Sequence, residues 1–150
     1  MNQGRRMLLT AAAAFAAMAA LPRALLAAAW PDKAFSQTTA QDALAALFGA
    51  DGLAASDQID LKAPEIAENG AVVPLEVTTT LDNVESISIV VPKNPRPLAA
   101  SFEMLPGALP YVACRIKMGE TSDVIAVVKT GSGLFSTSKQ VKVTIGGCGG

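Results

Sequence analysis

Val141-Lys142-Val143-Thr144-Ile145-Gly146-Gly147-Cys148-Gly149-Gly150 closes the chain. Its first half alternates, with Val141, Val143 and Ile145 on one face and Lys142 and Thr144 on the other, which is the period of a half-buried strand. Its second half reverses that logic. Glycine has no Cβ and gives up more conformational freedom on ordering than any other residue, so Gly146, Gly147, Gly149 and Gly150 work against packing Cys148 into a core. The stretch predicts a rigid last strand that carries a flexible arm, with a thiol reaching about 10 Å beyond Ile145. A C-terminal disulfide and a frayed end are the two plainer readings of the same residues.

Working back from that strand, the chain reads as short strands interrupted by turn chemistry. Leu134–Thr137, Val124–Thr130 and Val112–Met118 precede it, with Gly131-Ser132-Gly133 as a turn and Pro106-Gly107 to Pro110 as a loop. Leu98–Glu103 follows the proline-rich break Pro92-Lys93-Asn94-Pro95-Arg96-Pro97. Val84–Val91 and Val72–Thr80 come earlier. Ile59, Leu61 and Ala63 alternate before Pro64, and Asn69-Gly70 is the pair favoured by a type I′ hairpin turn. Seven or eight such strands predict an all-β, immunoglobulin-like antiparallel β-sandwich. Ahead of them Trp30–Thr38 reads as a polar linker. One short N-terminal helix follows, capped by Thr39, striped by Leu44, Leu47 and Phe48, and closed by Gly49. That stripe packs on its own domain or docks on a partner, and the first is the safer expectation.

The first 29 residues read differently. Met1-Asn2-Gln3-Gly4-Arg5-Arg6 is a basic n-region, Met7–Leu21 an apolar run too short to span a bilayer comfortably, and Ala27-Ala28-Ala29 a small-residue cleavage site. This predicts a signal peptide. Paired arginines before Met7-Leu8-Leu9, with Arg23 late in the segment, resemble the twin-arginine type. An uncleaved anchor or ordinary secretion are the alternatives, and no cysteine follows the apolar run to take a lipid. The expected organisation is therefore a signal peptide over 1–29, linker and helix over 30–54, a β-sandwich over 55–145, and a Gly-Gly-Cys-Gly-Gly arm over 146–150.

Removal of Arg5, Arg6 and Arg23 leaves 9 basic residues against 13 acidic, a net charge of −4. An acidic domain with no basic stripe is a poor partner for nucleic acid or anionic membrane. The expected compartment is the bacterial periplasm, where a Cys114–Cys148 bridge is conceivable. Cys114 argues against it by phase. In Tyr111–Met118 the even positions are Val112, Cys114, Ile116 and Met118, so Cys114 should face the core while Arg115 and Lys117 share the solvated face.

The chain has no histidine. No local Ser-His or Cys-His pair can activate a nucleophile, and no metal site that needs histidine can form. The carboxylates give no persuasive acid and base pair; Glu65, Glu68 and Asn69 fit turn polarity better. Gly131 and Gly133 do not open a helix after a strand, so they make no phosphate loop. Cys148 remains. A free cysteine ionises at about pH 8.5, and a nearby C-terminal carboxylate disfavours the thiolate, so its activation has to come from elsewhere.

These residues resemble the SoxY family, the sulfur carriers of bacterial Sox thiosulfate oxidation. The resemblance covers most of the mature chain. It is carried by the terminal Gly146-Gly147-Cys148-Gly149-Gly150, by Pro64-Glu65-Ile66-Ala67-Glu68-Asn69-Gly70-Ala71-Val72-Val73-Pro74, by Arg115-Ile116-Lys117-Met118 with Thr121-Ser122, and by the twin-arginine signal. It implies a periplasmic carrier without catalytic machinery or cofactor of its own, which holds thiosulfate-derived intermediates on Cys148. It also implies a heterodimer with a SoxZ-like subunit. A SoxAX-like c-type cytochrome, a SoxB-like hydrolase and, in many organisms, a SoxCD-like sulfane dehydrogenase would act on the arm. Cys114 departs from the expected pattern as an extra thiol. Two other classes stay open: an interaction module whose terminal cysteine forms an intermolecular disulfide, and a carrier using the Gly149-Gly150 carboxylate in the manner of ubiquitin-like proteins. The signal peptide counts against the second, which needs a cytosolic β-grasp domain.

Overall fold

A computed structural model describes residues 30–49 and 52–144. The expected signal peptide (1–29) and the arm residues Gly146, Gly147, Cys148, Gly149 and Gly150 lie outside the described residues, as does Ile145.

Among the described residues nine strands build two facing sheets: β1 (Leu53–Ala55), β2 (Ile59–Lys62), β3 (Ile66–Ala67), β4 (Val73–Thr79), β5 (Val84–Val90), β6 (Leu98–Glu103), β7 (Tyr111–Ile116), β8 (Ser122–Thr130) and β9 (Gly133–Val143). The larger sheet runs β1-β9-β8-β5-β6, with β3 also on β9, and the smaller runs β2-β4-β7. The smaller sheet alternates strictly, as a sheet with one wet face should. Ile59, Leu61, Val73, Leu75, Val77, Val112 and Ile116 point inward, and β4 reads buried and exposed in turn along its whole length. Ile87, Ile89, Val91, Val124, Ala126, Val128 and Val141 answer them from the larger sheet. Each such side chain contributes about 1.5–3 kcal/mol on burial.

β5 and β8 carry near-continuous buried runs because both of their faces are covered. Val90, Leu98, Val127 and Leu134 lie on the outer face and form a second cluster with Ala34 and Ala43. Those two alanines come from helices α1 (Asp32–Phe35) and α2 (Ala40–Phe48). Thr39 Oγ1 accepts from the Asp42 amide at 3.1 Å, and Gly49, at φ 88°, closes the helix. Leu44, Leu47 and Phe48 pack against this cluster, so the apolar stripe serves its own domain. On the same outer face Ser88 and Ser101 hydroxyls bond at 2.9 Å, which satisfies polar atoms the covering layer would otherwise strand.

Several expectations need correction. Leu134–Thr137 and Val141–Ile145 were expected as separate strands, but β9 is one strand through Val143, paired with β8 from Gly133 to Val141. Its polar centre, Ser138-Lys139-Gln140, does not break the ladder because the backbone pairing is complete there. The linker over 30–38 contains the helical turn α1, whose Ala34 is 1% exposed. β1 crosses the expected boundary at 54/55, and both β1 and β3 run parallel to β9, so the sandwich is antiparallel apart from these two short pairings.

Asn69-Gly70 is not a hairpin turn either, since β3 and β4 belong to different sheets. Asn69 Oδ1 accepts from the Ala71 amide at 2.9 Å, the local side-chain turn that asparagine favours. Gly70 is required for space rather than for turn dihedrals: a Cβ there would stand 2.4 Å from the Met118 carbonyl oxygen and 2.8 Å from Val143 Cγ1. Gly70→Ala is therefore expected to cost about 1–3 kcal/mol in chemical denaturation. Gly52→Ala, where a Cβ meets nothing within 4 Å, should be near neutral.

Candidate functional site

The strand that leads to the arm is held on both of its edges. On one side β8 pairs with it, Ser122 opposite Val141. On the other, Ile66 and Ala67 of β3 pair with Lys142 and Val143. The Lys142 amide donates to the Glu65 carbonyl at 2.9 Å, and the Thr144 amide to the Ala67 carbonyl at 3.1 Å. The Thr121 hydroxyl accepts from the Val143 amide at 3.0 Å and donates to the Val143 carbonyl at 3.5 Å. Each bond is worth only about 0.5–1.5 kcal/mol, but together they fix the last described stretch of backbone before the glycines. Gly70 completes the collar, its carbonyl accepting from the Met118 amide at 2.7 Å.

The sequence pattern anticipates a rigid base without showing what makes it rigid. β3 is only two residues long, too short to show a period, and it pairs in parallel with a strand far along the chain. A faint signal is nevertheless present. Pro64–Pro74, Arg115–Met118 and Thr121-Ser122 are separate patches in the sequence, and the fold gathers all three around the end of β9.

Cys148 and its four glycines lie outside the described residues, so the geometry concerns their base. Cys114 is described. It faces inward from β7 opposite Leu75, half-buried and packed against the main core, and is a free thiol. Burial pushes its pKa above the ordinary thiol range. Arg115 and Lys117 project to solvent, as their phase predicts. Glu65 contributes its backbone carbonyl to β9, and Gly131 and Gly133 belong to the β8–β9 turn, where the Thr130 hydroxyl bonds Ser132 at 2.9 Å. Among the described residues no group of three or more Asp, Glu or Cys side chains could hold a metal ion, and no helix is long and apolar enough to cross a membrane.

Residues 44–148 match the family model described as sulfur oxidation protein SoxY. Among solved structures, the sulfur carrier protein SoxY from Chlorobium limicola f thiosulfatophilum is 45% identical, with a TM-score of 0.64 over 70% of this chain and 96% of that one. A superoxide reductase (neelaredoxin) from Ignicoccus hospitalis, 19% identical, gives a TM-score of 0.52 over 76% of this chain and 92% of its own, a likeness of fold alone. The curated proteins contain no match.

The raised pKa of Cys114 keeps it protonated at neutral pH, so little thiolate is present to react. Timed alkylation followed by peptide mass analysis should label the Cys148 peptide first at pH 7. Cys114 labelling should accelerate only as the pH climbs past the ordinary thiol range. Equal rates for both at pH 7 would contradict the burial argument.

Proposed function

Because the chain belongs to the SoxY family of sulfur oxidation proteins, we propose that it is a periplasmic carrier that holds thiosulfate-derived sulfur on Cys148 and presents it to partner enzymes. The observation that supports this most is that the family match runs through residue 148, and so takes in the cysteine that the clamped strand leads to.

The chemistry follows from what the chain has and lacks. Thiosulfate couples to the Cys148 thiol by forming an S–S bond. The thiol proton and two electrons leave, which needs an external one-electron acceptor such as the haem of a c-type cytochrome. The product is a cysteine S-thiosulfonate. Water then attacks the terminal sulfonate sulfur, the S–S bond breaks, and sulfate with one proton departs, leaving a persulfide on Cys148. A hydrolase has to supply the activated water, since a chain without histidine offers no general base of neutral pKa. A sulfane dehydrogenase, where one operates, removes six further electrons before a second hydrolysis frees the thiol. A SoxZ-like subunit completes the carrier as a heterodimer.

In a reconstituted thiosulfate-oxidising mixture, Cys148→Ser should abolish cytochrome reduction and Cys114→Ser should leave it within about twofold. Activity surviving Cys148→Ser, or lost in Cys114→Ser, sinks the proposal. A covalent dimer of purified protein that carries no sulfur adduct would favour the disulfide-linked interaction module instead.

The arm itself has a separate test. Gly147→Val with Gly149→Val should slow turnover by partner enzymes while changing unfolding free energy by no more than about 0.5 kcal/mol. A larger loss of stability would mean that the tail is packed and not presented.

A further inference from the structure

On one side of the sandwich the last strands of the two sheets, β6 and β7, stand next to each other with no further strand on either. Between them is a cleft of about 430 Å³. Three cations line it: Arg96 from the proline-rich loop, and Arg115 and Lys117 from β7 and the residue after it. No carboxylate lines it, and none of the three belongs to an ion pair among the described residues. The acid nearest by register is Glu76, which opposes Ala113, is diagonal to Arg115 across the β4–β7 pair, and shares with it a separate pocket, without an ion pair between them.

One of the three side chains, and the backbone beside another, are held in place. Arg96 donates to the Ser36 carbonyl, a neutral partner that positions the guanidinium without cancelling its charge. Asn94 ties the same loop to the end of β7, its Nδ2 donating to the Lys117 carbonyl at 2.6 Å while its Oδ1 accepts from the Gly119 amide at 3.0 Å. Arg115 and Lys117 are two residues apart along an extended chain, about 7 Å, a separation that one oxyanion head with several acceptor oxygens can bridge. Three cations that line one concavity and belong to no ion pair among the described residues make it attractive to an anion.

We propose that this cleft binds a sulfonate- or sulfate-type oxyanion through Arg115, Lys117 and Arg96. Its position suggests two sources for that head. The Met118 carbonyl oxygen, next to Lys117, and Val143 Cγ1 both approach within 3 Å of where a Gly70 Cβ would stand, so the cleft and the end of β9 lie at the same end of the sandwich, with β8 and β5 between β9 and β6. One source is a head carried on Cys148, four residues beyond the last described one, and the other is a free ion. The tethered source rests on the carrier reading above; a free thiosulfate or sulfate ion does not.

The test reads the backbone amide shifts of residues 115–117 by NMR in two arms. In the first, sodium thiosulfate or sodium sulfate is titrated into the Cys148→Ser chain against sodium chloride of equal ionic strength. In the second, the Cys114→Ser chain is loaded with tetrathionate: the Cys148 thiolate attacks a central sulfur, an S–S bond breaks, thiosulfate leaves, and Cys148 keeps an S-thiosulfonate. Shifts in the first arm identify a diffusible ion, and shifts only in the second an arm-bound head. Arg115→Gln with Lys117→Gln should weaken the free-ion interaction about tenfold, or remove the shift in the loaded chain. The charge-matched pair Lys33→Gln with Lys129→Gln should leave either within about twofold. No shift in either arm, an equal response to chloride, persistence in the Arg115/Lys117 variant, or an equal loss in the control pair overturns the proposal. A loaded chain that partner enzymes ignore would count against the carrier reading while leaving a positive first arm intact.

Discussion

The end of β9 is hydrogen-bonded from both sides, and that pairing is the constraint on which the rest depends. A strand that ends a chain ordinarily frays, because its last residues gain few contacts against the entropy of ordering them. Here β3, the Thr121 hydroxyl and the close approach at Gly70 carry the order of the sandwich out to Thr144. The cost is local and specific. A side chain at Gly70 would have to displace the Met118 carbonyl or Val143, and the two residues of β3 are committed to a parallel pairing in which Ala67 also joins the core.

Strands whose inward residues alternate were legible from sequence, and β2, β4, β5, β6 and β7 lie where the pattern put them. So did α2, because Thr39 and Gly49 are strong local signals with a clear mechanism. What failed was whatever depends on distant partners. Ser138-Lys139-Gln140 looks like a break when read locally, and only the full ladder with β8 shows why it is strand. Asn69-Gly70 has hairpin composition, but the residues flanking it go to different sheets. β1 and β3 are too short to have a period and owe their existence to β9. The outer layer of α1 and α2 explains why both faces of β5 and β8 are buried, where alternation alone would have placed one face in water.

The two cysteines are separated by environment and not by type. Cys114 sits on the inner face of β7, where burial disfavours the thiolate, and its chemistry is suppressed by the same packing that holds the small sheet together. Cys148 follows glycines beyond a clamped strand. The chain has no histidine and belongs to the SoxY family of sulfur oxidation proteins, and the proposed role of Cys148 as an attachment point rests on those two facts. The end of β9, its clamp and the cationic cleft lie at one end of the sandwich, where Lys93 and Asn94 of the proline-rich loop bond Ser122, Lys117 and Gly119.

The central claim is that sulfur is carried on Cys148. Peptide mass analysis of the protein taken from cells oxidising thiosulfate tests it most directly. The account predicts sulfur adducts confined to the C-terminal peptide and removed by a reductant; adducts on the Cys114 peptide, or none on either, would contradict it.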